Sequence, residues 1–212
     1  MLFLTSNSDK MYIQFRNHFA NLPLLSLIEI EKAFPKLDKR RLNEWSKKGY
    51  IENVKRGFYR FTDLPKQEGV RLFSANKIYN PSYISLESAL SFHQIIPESV
   101  FTVTSVSTLN TTSLKSSLGN FSYRHLKENL FFGYVLVEIN ELTVSMASLE
   151  KALLDYLYLH SELKSEMDFQ ALRWNKEQLK KINSQKIEDY LILFNKKTLS
   201  QRYSLLNKYI ND

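Results

Sequence analysis

The first sixty residues are punctuated so closely by helix and turn signals that few arrangements remain open to them. Ser26 followed by Glu29 is a Ser-x-x-Glu capping box, and it predicts a short helix over 27–33 that Pro35 stops. Asp38 caps a further helix predicted over 39–48, and Gly49 stands where a left-handed residue ends it. Two extended stretches, 50–54 and 58–62, flank Lys55-Arg56-Gly57, with Gly57 supplying the positive φ of a tight hairpin. Upstream, Met11, Tyr12, Phe15 and Phe19 recur at helical spacing and predict a helix over 9–19. Helix, helix, helix, two-stranded hairpin is the order of a winged helix-turn-helix.

The third helix sorts its residues by side. At 100° per residue, Leu42 and Trp45 fall on one side with Asp38 and Gly49, while Arg40, Asn43 and Lys47 fall opposite. Lys36 precedes this helix and Lys39 flanks it. Leu42 and Trp45 are expected to bury against the first two helices, with Ile51, Val54 and Tyr59 closing the base.

Charge follows the same division. Lys plus Arg is 29 and Asp plus Glu 22, a net +7, and residues 1–66 hold 13 basic against 7 acidic side chains. Residues 36–60 concentrate nine of them (Lys36, Lys39, Arg40, Arg41, Lys47, Lys48, Lys55, Arg56, Arg60) against Asp38, Glu44 and Glu52. Such a local surplus is the footprint of a polyanion-binding surface. On a duplex, Lys36, Lys39, Arg41, Lys47 and Lys48 suit phosphates, Arg41 and Lys48 from the far flank of the helix, and Arg40 and Asn43 suit base edges. Lys55 and Arg56 at the hairpin tip reach a minor groove or flanking backbone.

Residues 63–69 read as a linker. The expected organisation is therefore α+β in two domains, 1–66 and 67–212. In the second, helices are predicted over 70–79 and, behind Ser85, over 86–92. Strands follow over 100–107, 121–126, 131–139 and 142–147, forming a mainly antiparallel sheet. A helical tail begins at Ser148, with helices around 169–182, 187–194 and 199–210.

The chain carries no catalytic constellation. It has no cysteine, so disulfides, thiolate metal sites and cysteine nucleophiles drop out together. His18, His93, His125 and His160 are mutually isolated, and five glycines form no phosphate-cradling loop. Ser148-Leu149-Glu150-Lys151 matches a Ser-x-x-Lys string but reads better as a helix start with a carboxylate in its first turn. Glu138 and Glu141 lack a partner that would hold a metal. No cofactor, no metal and no catalytic residue are expected. Apolar runs of about five residues fall far short of the roughly 20 that cross a bilayer. The first nine residues lack a leader's basic and apolar segments. A cytoplasmic protein without membrane contact is expected.

Four segments resemble the AbiEi antitoxins of abortive-infection, type IV toxin–antitoxin systems. They are Leu42-x-x-Trp45-x-x-x-Gly49-Tyr50-Ile51, Val54-Lys55-Arg56-Gly57-Phe58-Tyr59, the stretch Tyr83 to Leu90, and the stretch Ala147 to Asp155. The likeness runs from about Leu24 to Leu159, with a looser helical match beyond. It implies an N-terminal winged helix, a C-terminal antitoxin domain, and repression of the protein's own operon at promoter inverted repeats. It also implies opposition to a nucleotidyltransferase-type toxin without a stable complex, and a homodimer or cooperative binding on DNA. The alternative is a winged-helix regulator of an unrelated operon whose second domain senses a ligand.

Overall fold

A computed structural model describes residues 7–211, with side chains from residue 10 onward. The reading of the extreme N-terminus as no leader lies partly outside the described residues. The chain divides into two compact units, 1–65 and 66–212.

The first unit strings together helix α1 (Asn7–His18), strand β1 (Leu25–Ser26), helices α2 (Leu27–Ala33) and α3 (Arg40–Lys47), and strands β2 (Ile51–Lys55) and β3 (Phe58–Phe61). The Ser26 capping box forms: Ser26 Oγ accepts from the Glu29 N–H at 3.2 Å, and Glu29 Oε2 accepts from the Ser26 N–H at 2.8 Å. Gly49 and Gly57 take φ of +73° and +84°. Phe15, Phe19, Leu25, Ile30, Leu42, Trp45, Ile51 and Phe61 make one buried core. The Phe15 and Trp45 rings lie 4.8 Å apart, centroid to centroid. Of the four residues that recur at helical spacing, Phe15 and Phe19 are buried, whereas Met11, a turn before Phe15, is exposed.

One strand was not foreseen. Leu25 and Ser26 pair antiparallel with Tyr59 and Phe58, making a three-stranded sheet in the order β1-β3-β2. Two residues are too few to show any alternation, so only the hairpin's arrival beside them turns them into a strand.

The second unit is built on a six-stranded sheet. Its strands are β4 (Ser82–Ile84), β5 (Thr102–Ser107), β6 (Thr112–Ser116), β7 (Gly119–His125), β8 (Tyr134–Ile139) and β9 (Leu142–Ala147), ordered β6-β7-β5-β4-β9-β8. The expected sheet needs correction here. Pairs β5–β7 and β4–β9 are parallel and the other three antiparallel, so the sheet is mixed. Two of its members, β4 and β6, went unrecognised. β4 is three buried residues wedged between Pro81 and Ser85, and β6 is a polar Thr-Ser-Leu-Lys-Ser edge. Helix α4 (Glu68–Ile78) packs along β4, β5 and β9, and helix α5 (Leu86–Phe92) along β5 and helix α6 (Leu149–Leu159).

Helices α7 (Glu166–Leu172), α8 (Lys176–Leu179), α9 (Ser184–Phe194) and α10 (Lys197–Asn211) complete the tail. The single helix expected over 169–182 is broken at Arg173, whose φ is +52°. Residues Glu150 to Leu157 of α6 are all buried, so this helix runs through the middle of its unit. Among the described residues, no helix is long and apolar enough to cross a membrane.

Candidate nucleic-acid interface

The α3 surface starts from an anchor. Leu42 and Trp45 are each 1% exposed, so the helix can rotate only by emptying the core. The Asp38 carboxylate accepts from the Arg40 N–H at 2.9 Å, tying down the first turn, and this bond holds its carboxyl below the usual range. With those contacts made, Arg40, Asn43 and Lys47 are left exposed on the side away from the core, and Lys36 and Lys39 are exposed just before the helix. Arg56 is exposed at the turn between β2 and β3, while Lys55 is half-buried at the end of β2. The Gly57 carbonyl accepts from the Leu27 N–H at 2.7 Å, which fastens the hairpin to the start of α2. The seven residues singled out from the sequence therefore share the α2–α3 and hairpin region of one unit.

Not all of their charge is available. Lys39 Nζ lies 2.5 Å from Glu31 Oε1, Arg40 Nε 3.1 Å from Asp38 Oδ2, and Arg41 Nη1 2.8 Å from Glu44 Oε2. Lys36, Lys47 and Arg56 touch no carboxylate among the described residues. Exposed pairs of this kind between long side chains contribute little to stability.

Arg60 is a correction to the charge footprint. Its side chain is 0% exposed, with Nη1 2.5 Å from Glu52 Oε1 and Nη2 donating to the Leu64 and Pro65 carbonyls. This arginine holds the hairpin and the following segment together and offers nothing to a ligand. Arg60 lies between Tyr59 and Phe61 and faces Glu52 across the hairpin.

The second unit contains a group that sequence reasoning missed. Lys151 and Asp155, one turn apart on α6, are both 0% exposed and in contact through Nζ and Oδ1. The other carboxylate oxygen of Asp155 accepts from the Tyr83 and Ser85 hydroxyls, each at 2.9 Å. Lys151 Nζ also sits 4.9 Å from the ring centres of Phe132 and Phe194. A Cβ on Gly133 would come within 3.1 Å of the lysine stem, so a glycine there lets the side chain pass. Burial pushes the Lys151 ammonium below its ordinary value and the Asp155 carboxyl above its own, against the attraction between them. Being sealed, the cluster is a polar pin through the core. Its sequence signal was an i, i+4 Lys–Asp pair inside an apolar helix.

The remaining candidates resolve as structure. Ser148 Oγ accepts from the Lys151 N–H at 3.3 Å, as a helix cap does. His93 and His125 bond to the Ala147 and Leu109 carbonyls, and His160 stacks on Tyr156 at 3.9 Å. Glu138 and Glu141 are exposed, on β8 and in the turn that follows it. Among the described residues, no three His, Asp or Glu side chains come together as a metal site. The chain matches no protein-family model and no curated protein sequence.

Proposed function

We propose that this chain is a sequence-specific DNA-binding repressor whose first unit works as a winged helix. The carrying observation is the two-sidedness of α3, which is anchored by Leu42 and Trp45 and leaves Arg40, Asn43 and Lys47 exposed opposite. In this reading α3 enters the major groove, Arg40 and Asn43 read base edges, and Lys36, Lys39 and Lys47 neutralise phosphates. The β2–β3 hairpin is the wing, with Lys55 and Arg56 lying along the flanking backbone or minor groove. No catalytic step is assigned to either unit.

The resemblance to AbiEi proteins extends the proposal to an antitoxin of a type IV system, acting in the cytoplasm against a nucleotidyltransferase-type toxin. Two of the resembling segments supply Tyr83, Ser85, Lys151 and Asp155 to a single hydrogen-bonded cluster. The likeness therefore lies in residues that hold the second unit together.

The test is DNA binding to the region upstream of the protein's own gene, followed by gel shift or fluorescence anisotropy. About five phosphate contacts give a slope of log K against log salt of about −4.5. Lys47→Ala weakens every duplex alike and lowers the slope by about 1. Arg40→Ala erodes the preference for the specific site by about 1–3 kcal/mol, roughly 5- to 150-fold. Equal loss of specific and random DNA in both variants refutes the assigned roles. Co-expression with the product of the adjacent downstream gene tests the antitoxin half, since an antitoxin restores growth.

A further inference from the structure

An arginine reads a base with a planar fork of N–H groups, so the nitrogens already engaged decide what it can still read. Arg40 and Arg41 open α3 side by side, and each pairs with a carboxylate in a different way. Arg41 meets Glu44 Oε2 through Nη1 at 2.8 Å, at the tip of its guanidinium. Arg40 meets Asp38 Oδ2 through Nε at 3.1 Å, at the base of the fork. The Nη1 and Nη2 groups of Arg40 have no partner among the described residues, and its side chain is 86% exposed.

Asp38 is fixed in turn by the backbone. Its Oδ1 accepts from the Arg40 N–H at 2.9 Å, a side-chain turn that reaches two residues on. The two carboxylate oxygens thus serve one residue, Oδ1 its main chain and Oδ2 its side chain. A guanidinium held in this way has given up part of its freedom before any ligand arrives. Ordering that is complete beforehand does not weaken the complex when it forms.

We infer that Asp38 is a positioning residue for base readout, bracing Arg40 through Nε so that Nη1 and Nη2 are presented together to O6 and N7 of a guanine. The inference rests on the DNA-binding reading above and adds the base to it, a guanine in the major groove beneath the N-terminal end of α3. It also gives an acidic residue on a basic surface something to do. A carboxylate there repels phosphates and so weakens attachment to every duplex, whereas its brace strengthens only the complex that has guanine in register. Specificity is the difference between the two. Arg41 lacks this arrangement, because Glu44 holds it by the nitrogen that a base would need.

Asp38→Asn separates the brace from the turn. The asparagine carbonyl still accepts from the Arg40 N–H, whereas its amide group donates only and carries no charge for Nε. The full wild-type chain first selects its site from a pool of random duplexes, and each guanine of that site is then exchanged for adenine together with its partner base. One exchange is expected to weaken the wild-type chain by about 5- to 150-fold and to leave Arg40→Ala nearly unaffected, which marks the guanine that Arg40 reads. At that position Asp38→Asn is expected to lose about 2- to 12-fold of the preference for guanine, the factor for fixing one long side chain on binding. It should hold random duplexes at least as tightly as the wild type and unfold at the same temperature. In the Arg40→Ala background the same substitution should leave base preference unchanged. A role in the turn alone would lower the unfolding temperature and weaken specific and random duplexes together, and that result overturns the proposal. So does a selected site with no guanine marked by Arg40. A wild-type chain that selects no site removes the DNA-binding reading and the brace with it, whereas a selected site that Asp38→Asn reads as well as the wild type removes the brace alone.

Discussion

Replacing Lys151 by methionine removes the cation from a fully buried pair and keeps most of its apolar stem. The Asp155 carboxyl then remains at 0% exposure with only the Tyr83 and Ser85 hydroxyls to satisfy it. Breaking a buried pair on one side costs about 3–5 kcal/mol. The mirror change, Asp155→Leu, strands the ammonium among aromatic rings and leaves two buried hydroxyls unbonded, at about 1–3 kcal/mol for each hydroxyl. The double variant Lys151→Met/Asp155→Leu strands no charge, and its well-packed replacement offsets part of the hydroxyl cost. It is expected to lose less than the sum of the single losses by about 3 kcal/mol or more. Adding Tyr83→Phe and Ser85→Ala removes the stranded hydroxyls and should recover stability further. Urea unfolding followed by tryptophan fluorescence reads this directly, because the chain has one tryptophan in each unit, Trp45 and Trp174. Trp174 lies 5.1 Å from the Tyr156 ring on α6, so its transition reports the helix that carries the pair. Single variants each costing under about 1 kcal/mol, with additive effects, would refute the claim that this cluster pins the second unit.

Two further outcomes follow from local geometry. Glu141 takes a φ of +64° in the β8–β9 turn, where a side chain costs about 1–2 kcal/mol, so Glu141→Gly is expected to stabilise by about 0.5–1 kcal/mol in thermal unfolding. Burial pushes the Glu150 carboxyl up, but Lys186 at 2.8 Å and the Asn183 N–H at 3.3 Å outweigh it and hold the group below its ordinary 4.5. The folded value lies below the unfolded one, so its contribution is complete above about pH 4.5 and is lost as pH falls through the folded value. Glu150→Gln should therefore flatten the acid limb of the stability profile, and an unchanged limb would contradict this origin.

The first unit was legible almost residue by residue because its signals are local. A capping box, a proline stop, two positive-φ glycines and a helical stripe each act within a few residues of chain, and α2 occupies the range they predict. Even so, β1 exists only because β3 returns beside it, and Arg60 left the charge footprint only when Glu52 and the following carbonyls closed around it. The candidate interface was legible for a related reason: an exposed face is the complement of a buried one, and Leu42 and Trp45 fix both. In the second unit the long strands and most helices followed from composition and spacing. Their order in the sheet did not, since β4 lies between β5 and β9 through pairings that no neighbouring residue encodes. The same holds for Lys151 and Asp155. Local pattern makes a charged pair on a helix a surface feature, and only packing against Tyr83, Ser85, Phe132 and Phe194, brought from distant parts of the chain, makes it the centre of a core.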